Sequence, residues 1–409
     1  MKDRTPRPSV EKGTTCTSNP EKTCTKGSYA AEEDGSPLEW FRQMIPNCYA
    51  YAKAEHEAGR RIVGILCEFT PRELVMAADA VPVLLCGGSA KTIPAAERHL
   101  PANLCPLVKS TYGYHLEGSN PFLEMASLVV AETTCDAKKK MYELLAEDRP
   151  MHVLELPQKD DDQDALDRWE KELRKFKGEL ESRLNVAITD YRIRDAIGLM
   201  NHERRLRRDL AALMTSDPPP FSGKDLLNFK SSISGIPGDL AQYQKALDLF
   251  GENGGDPELS SRVRVLMTGV PIVQGAERVL DIVEGSGGVV VCFENCTGLK
   301  PILEDVDPHA PDPIRALAEK YYHLPCSVMT PNRARLEKLT ELVNQYRPDC
   351  VIELVWQACL TYDVESFRVK RLVEEELGLP YLKIETDYSP SDSARIGVRV
   401  EALFETIRG

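Results

Sequence analysis

Two stretches of this chain alternate short apolar runs with helical patterns, and that alternation restricts the fold more than any other feature. Between residues 36 and 157 the runs RIVGIL, VPVLLC, SLVVAE and MHVLEL read as buried strands. TPRELVMAADA and CDAKKKMYELLAED read as helices among them, the first with Pro71 in its opening turn. From residue 261 the pattern returns, with VRVLMTG, GGVVVCF, DCVIELV and LPYLKIE as strands. NRARLEKLTELVNQY and VESFRVKRLVEEELG are the helices of this second block. Strands joined through helices run parallel in one sheet, with helices on its faces.

Residues 158–260 differ in character. KDDDQDALDRW places acidic residues where a helix N-terminus favours them. Leu166, Trp169, Leu173, Phe176, Leu180 and Leu184 then recur at steps of three and four, a helical period. Pro218, Pro219 and Pro220 stop that run, and KDLLNFK and AQYQKALDLF supply further helix. Residues 1–35 hold almost no large apolar side chains and read as a flexible tail. The expected organisation is a tail (1–35), a first α/β domain (36–157), a helical insertion (158–260) and a second α/β domain (261–409). Each α/β domain is an open parallel sheet of the Rossmann or flavodoxin type.

Charge and composition narrow the class of function. With 64 acidic against 51 basic residues the net charge is −13, which repels a nucleic acid. No apolar run approaches the ~18 residues of a membrane span. The N-terminus lacks the apolar stretch of a secretory signal, so cytoplasm is expected. In that reducing compartment the 12 cysteines do not form a disulfide framework. No C-x-x-C pair occurs, which argues against a zinc ribbon or finger. Cys86, Cys292 and Cys350 sit in or beside apolar runs and read as small core hydrophobes, while Cys16 and Cys24 fall in the tail.

Six other cysteines share a context. Cys67, Cys135, Cys296 and Cys359 each follow an expected strand closely, at the carboxyl edge where open parallel sheets bind ligands. Cys105 and Cys326 each stand beside a proline and ahead of an expected helix, whose N-terminus favours the thiolate. Three fall in each α/β domain. Soft thiolates select iron–sulfur clusters, zinc or copper(I), and three on a cubane leave one iron open. His115, Glu294, His323 and Lys383 lie near the cysteine motifs as candidate proton donors, although a supporting or surface role is the favoured reading of each. No H-E-x-x-H or G-x-S-x-G pattern is present.

The stretches LCEFTPRELVMAA, NLCPLVKSTYG, ETTCDAKKKMYELL, FENCTGLK, YHLPCSVMTPNR, WQACLTYDVES and IETDYSPSDSARIGVRVEALFE resemble the 2-hydroxyacyl-CoA dehydratase and benzoyl-CoA reductase superfamily, over about residues 38–409. Dehydratase subunits of that superfamily typically bind one 4Fe–4S cubane through three cysteines and work beside a dissimilar subunit. A single chain offering six is more similar to the double-cubane cluster proteins, in which a bridging sulfide joins two cubanes into an 8Fe–9S cluster. The resemblance implies that Cys67, Cys105, Cys135, Cys296, Cys326 and Cys359 are the ligands. It also implies a low-potential reductase of small molecules, homodimeric and from an anaerobic host, fed by a separate ATP-hydrolysing activator with its own 4Fe–4S cluster. The chain carries no G-x-x-x-x-G-K-S/T phosphate loop, and its Gly-rich stretches GENGGDP and EGSGGVV read as turns. Two alternatives stay open: a single-cubane subunit of a 2-hydroxyacyl-CoA dehydratase or benzoyl-CoA reductase, and a non-catalytic electron-transfer or cluster-storage protein.

Overall fold

The computed structural model describes residues 35–159 and 161–409. Residues 1–34 and 160 lie outside that description, and with them Cys16, Cys24 and nearly all of the expected tail. The eight expected strands form two sheets of four. β1 (Arg61–Ile65), β2 (Ala80–Leu84), β3 (Ala126–Glu132) and β4 (Met151–Leu154) make the first. β5 (Val263–Gly269), β6 (Gly288–Glu294), β7 (Cys350–Trp356) and β8 (Tyr381–Thr386) make the second. Every pairing is parallel, and the orders match: β2-β1-β3-β4 and β6-β5-β7-β8.

The apolar runs explain these strands. A parallel strand covered on both faces needs apolar side chains throughout, and β5, β6 and β7 are buried at every residue. RIVGIL and VPVLLC extend past the last strand residues, Ile65 and Leu84, because the chain there turns into the loops that carry Cys67 and Cys86. In each sheet the first strand lies inside, so the chain crosses to one side and then to the other. That order opens a crevice at the carboxyl ends of β1 and β3, and of β5 and β7.

The two sheets share a core. Ile62, Val81 and Val129 of the first and Val265, Met267 and Ile352 of the second belong to one apolar cluster. The opposite faces have their own covers: Val63 and Val130 pack with Trp169 and Phe176, and Leu266 and Val289 with Phe221 and Tyr243. Trp169 and Phe176 come from the helix Gln163–Leu184, which Asp162 caps by accepting the amides of Asp164 and Ala165 at 2.9 and 3.3 Å. Asn185, at φ 53°, ends it in a left-handed turn. Three more helices follow before β5: Asp190–Leu213, Gly223–Asn228 and Pro237–Asn253. This helical stretch touches both sheets. Ser232 accepts the Leu84 amide at 2.8 Å along the edge of β2. Arg204 joins Glu73 of the first half, at 2.5 Å, to Tyr321 of the second, at 3.0 Å.

The loops after β2 and β5 meet at Gly88, where a Cβ would stand 2.2 Å from the Gln274 carbonyl oxygen. Gly88→Ala is expected to push these loops apart and cost about 1–3 kcal/mol of stability, read in denaturant unfolding. An unchanged midpoint would show that the junction has slack. Among the described residues no helix is long and apolar enough to cross a membrane.

Candidate functional site

A cavity of about 990 Å³ opens between the carboxyl edges of the two sheets. Its walls are the loops that follow β1, β2 and β3 on one side and β5, β6 and β7 on the other. Cys67, Cys105, Cys135, Cys296, Cys326 and Cys359 all line it. Cys292 and Cys350 are buried within strands, as expected of core residues. Cys86 is different. It is only half-buried and lines the cavity as a seventh thiol, with Sγ 3.5 Å from the Leu66 carbonyl oxygen. The apolar run preceding it suggested a strand residue, but β2 ends at Leu84 and Cys86 lies in the loop beyond.

Three of the six cap helices. Cys105 is the N-cap of Pro106–Glu117, Cys135 of Asp136–Leu145 and Cys359 of Leu360–Arg371. A helix N-terminus presents unpaired amides and a positive dipole end, which favours a thiolate. The other three sit in turns. Cys67 follows β1 and Cys296 follows β6. Cys326 was expected just ahead of a helix, yet the next helix begins only at Arg333. The intervening SVMTPN turn is held by Asn332, whose side chain donates to the Cys326 carbonyl at 3.0 Å.

The thiols divide into two sets by packing and electrostatics. Cys67 and Cys326 belong with one apolar cluster, and Cys105 and Cys359 with another. Cys296 and Cys326 are the thiols that bear most on Cys67, and Cys326 on Cys296. Cys135 bears on Cys105, and both bear on Cys359. One set is therefore Cys67, Cys296 and Cys326, and the other Cys105, Cys135 and Cys359. Each draws from both halves of the chain. Among the described residues no three His, Cys, Asp or Glu side chains gather around a point where a single metal ion would sit.

Burial pushes up the thiols of Cys67, Cys105, Cys296 and Cys359, the last two to about 12. Two lysines work against it: half-buried Lys138 eases Cys67 and buried Lys300 eases Cys296. Lys138 reaches back from the helix after Cys135 to the Leu66 carbonyl oxygen at 2.9 Å. Lys300 returns from the turn after Cys296 to Glu294 at 3.0 Å and the Tyr362 hydroxyl at 3.1 Å. Asn295 makes that return possible by accepting the amides of Thr297 and Gly298 at 3.1 and 2.9 Å. Sequence reasoning passed over both lysines. The N-C-T-G turn beside Cys296 was a signal for Lys300, whereas Lys138 looks like one of three surface lysines in KKK.

None of the four candidate proton donors lines the cavity. Glu294 is fully buried beside Cys296 but is held by Lys300, Arg335 and Thr268. Although burial raises its carboxyl, Lys300 and Arg335 bring it below its ordinary value. His115 lies 3.4 Å from Asp148, and His323 bonds the Glu319 carbonyl. Lys383 pairs with Asp363 and borders a separate polar pocket beside β8. Their supporting or surface roles were the favoured expectation.

The family model described as 2-hydroxyglutaryl-CoA dehydratase, D-component, matches residues 67–407. The chain is 42% identical over 359 residues to a putative dehydratase subunit, YjiM, of Escherichia coli (strain K12), covering 86% of this chain and 92% of that protein. It is 23% identical to the (R)-phenyllactyl-CoA dehydratase beta subunit of Clostridium sporogenes, covering 90% of this chain and 97% of that one. Lactoyl-CoA dehydratase subunit beta of Anaerotignum propionicum is 24% identical, with coverages of 86% and 93%.

Proposed function

Because the chain belongs to the 2-hydroxyglutaryl-CoA dehydratase D-component family, we propose that it is the catalytic subunit of a low-potential iron–sulfur reductase. Cys67, Cys296 and Cys326 would hold one cubane and Cys105, Cys135 and Cys359 the other, joined as an 8Fe–9S double cubane. The observation that carries this reading is the convergence of six thiols, in two sets of three, on one cavity. A cubane takes one thiolate per iron, so its ligands stand farther apart than those around one ion. The spread of these thiols fits that requirement better than it fits zinc. When bound, the cluster supplies low-potential electrons at an iron left open to the substrate.

The chain's own residues prepare the place. Cys105, Cys135 and Cys359 each stand at a helix N-terminus, where the positive dipole end faces the negative charge of a bound cluster. Lys138 and Lys300 offset negative charge beside Cys67 and Cys296. Electrons would come from a separate ATP-hydrolysing protein with its own 4Fe–4S cluster, since this chain lacks a phosphate loop. The expected assembly is a homodimer.

With such an activator, MgATP and a reductant, the anaerobically purified protein is expected to consume acetylene, azide or hydrazine without any further subunit. A second reading, a single-cubane dehydratase subunit, is favoured by the near full-length match to two acyl-CoA dehydratase beta subunits. Turnover restricted to a CoA thioester, and only after a dissimilar subunit is added, would establish that second reading and overturn the first.

A further inference from the structure

The cavity has charged residues in its lining that the six thiols do not explain. Arg207, from the helix Asp190–Leu213, and Lys230, just past the helix Gly223–Asn228, both line it. The helical stretch thus delivers two cations to a space walled mainly by the loops of the two sheets. The charges that bear on Lys230 are those of Glu277, Arg207 and Glu68. Each nearby carboxylate is already engaged. Glu68 pairs with Arg72 at 2.7 Å, and Glu277 accepts the Gly275 amide at 3.0 and 2.9 Å. Glu203 accepts the Gly235 amide on one oxygen at 2.7 Å and with the other pairs with Arg207 at 3.7 Å, a contact of charge without a hydrogen bond.

The two cations keep donors in reserve. Lys230 Nζ donates to the Ile272 carbonyl at 3.0 Å, one bond for a group with three N–H donors. Arg207 Nε is buried and has no acceptor. Buried donors are normally satisfied, and two like charges lining one cavity repel, a repulsion that an anion bound between them relieves. Burial lowers Lys230 to about 8, which still leaves it mostly charged at neutral pH.

We propose that Arg207 and Lys230 form an oxyanion subsite that anchors the substrate through a carboxylate or a phosphate group. A planar guanidinium grips two oxygens of such a group, and the lysine adds a point charge. The ligand held at this subsite is then an organic acid or a phosphoryl compound. Its meaning as a substrate anchor rests on the function proposed above, while the anion site itself does not depend on the cluster.

Isothermal titration calorimetry of the anaerobically purified full chain, at constant ionic strength in chloride, provides the test. The probes are acetate and inorganic phosphate, with iron content measured on the same samples. One probe is expected to saturate a single site per chain, and its identity tells carboxylate from phosphate. Lys230→Gln and Arg207→Gln should each weaken that binding by about tenfold or more, with Lys230→Arg retaining most of it and thermal midpoints showing that all three variants fold. Saturation by neither probe, or unaltered binding in both glutamine variants, would overturn the subsite. Anion binding by protein that holds no iron would leave the subsite standing and remove the proposed reductase. Iron without anion binding would do the reverse.

Discussion

Replacing Arg335 by methionine is expected to cost about 3–5 kcal/mol of stability, the range for removing one partner of a buried ion pair. Its side chain is fully buried. From the helix Arg333–Tyr346 it reaches Glu365 at 2.5 Å, Glu353 at 3.1 Å and Glu294 at 3.3 Å, and it donates to the Thr268 hydroxyl at 2.8 Å. Those partners sit on the helix that begins after Cys359, and on β7, β6 and β5. One guanidinium therefore ties three strands to a helix whose cap lines the cavity. Without it three buried or nearly buried carboxylates face one another, with Lys300 left to balance Glu294 alone. Arg335→Lys should rescue little, because a point charge cannot address several carboxylates at fixed angles. Denaturant unfolding of both variants measures the effect, and a loss below about 1 kcal/mol would contradict this account of the network.

The second large effect concerns iron. Changing Cys67 and Cys326 together to serine is expected to leave about half of the parent's iron, because both belong to one set of three and the other set stays whole. Changing Cys67 and Cys105 together is expected to remove nearly all of it, since each set then lacks a ligand. If the sets followed the two halves of the chain, the outcomes would be exchanged. Iron analysis of the two double variants, with unfolding midpoints to confirm that both are folded, decides between the arrangements. Equal iron in both would contradict a division into two sets.

The sheets were legible in the sequence because a parallel strand with two covered faces must be apolar along its length. GGVVVCF and DCVIELV satisfy that with no help from distant residues. The cysteines at the carboxyl edge were legible for a related reason: once the strands are parallel, every loop that follows one opens at the same edge. The division into two sets was not, because it depends on how the second sheet faces the first across their shared core. Cys86 was misread since a cysteine after VPVLL has the same local pattern whether the strand continues or turns. Arg335 was invisible because all of its partners come from other elements. His115 and His323 are candidates by sequence only, with a supporting or surface role favoured for each. Closeness in sequence to a cysteine motif does not bring a side chain into the cavity: His115 lies beside Asp148 and His323 bonds its own helix.

Iron and acid-labile sulfide, measured per chain on anaerobically purified protein, test the central claim most directly. The account predicts about eight irons and nine sulfides per chain, whereas about four of each would contradict the double cubane and assign the chain to the single-cubane subunits.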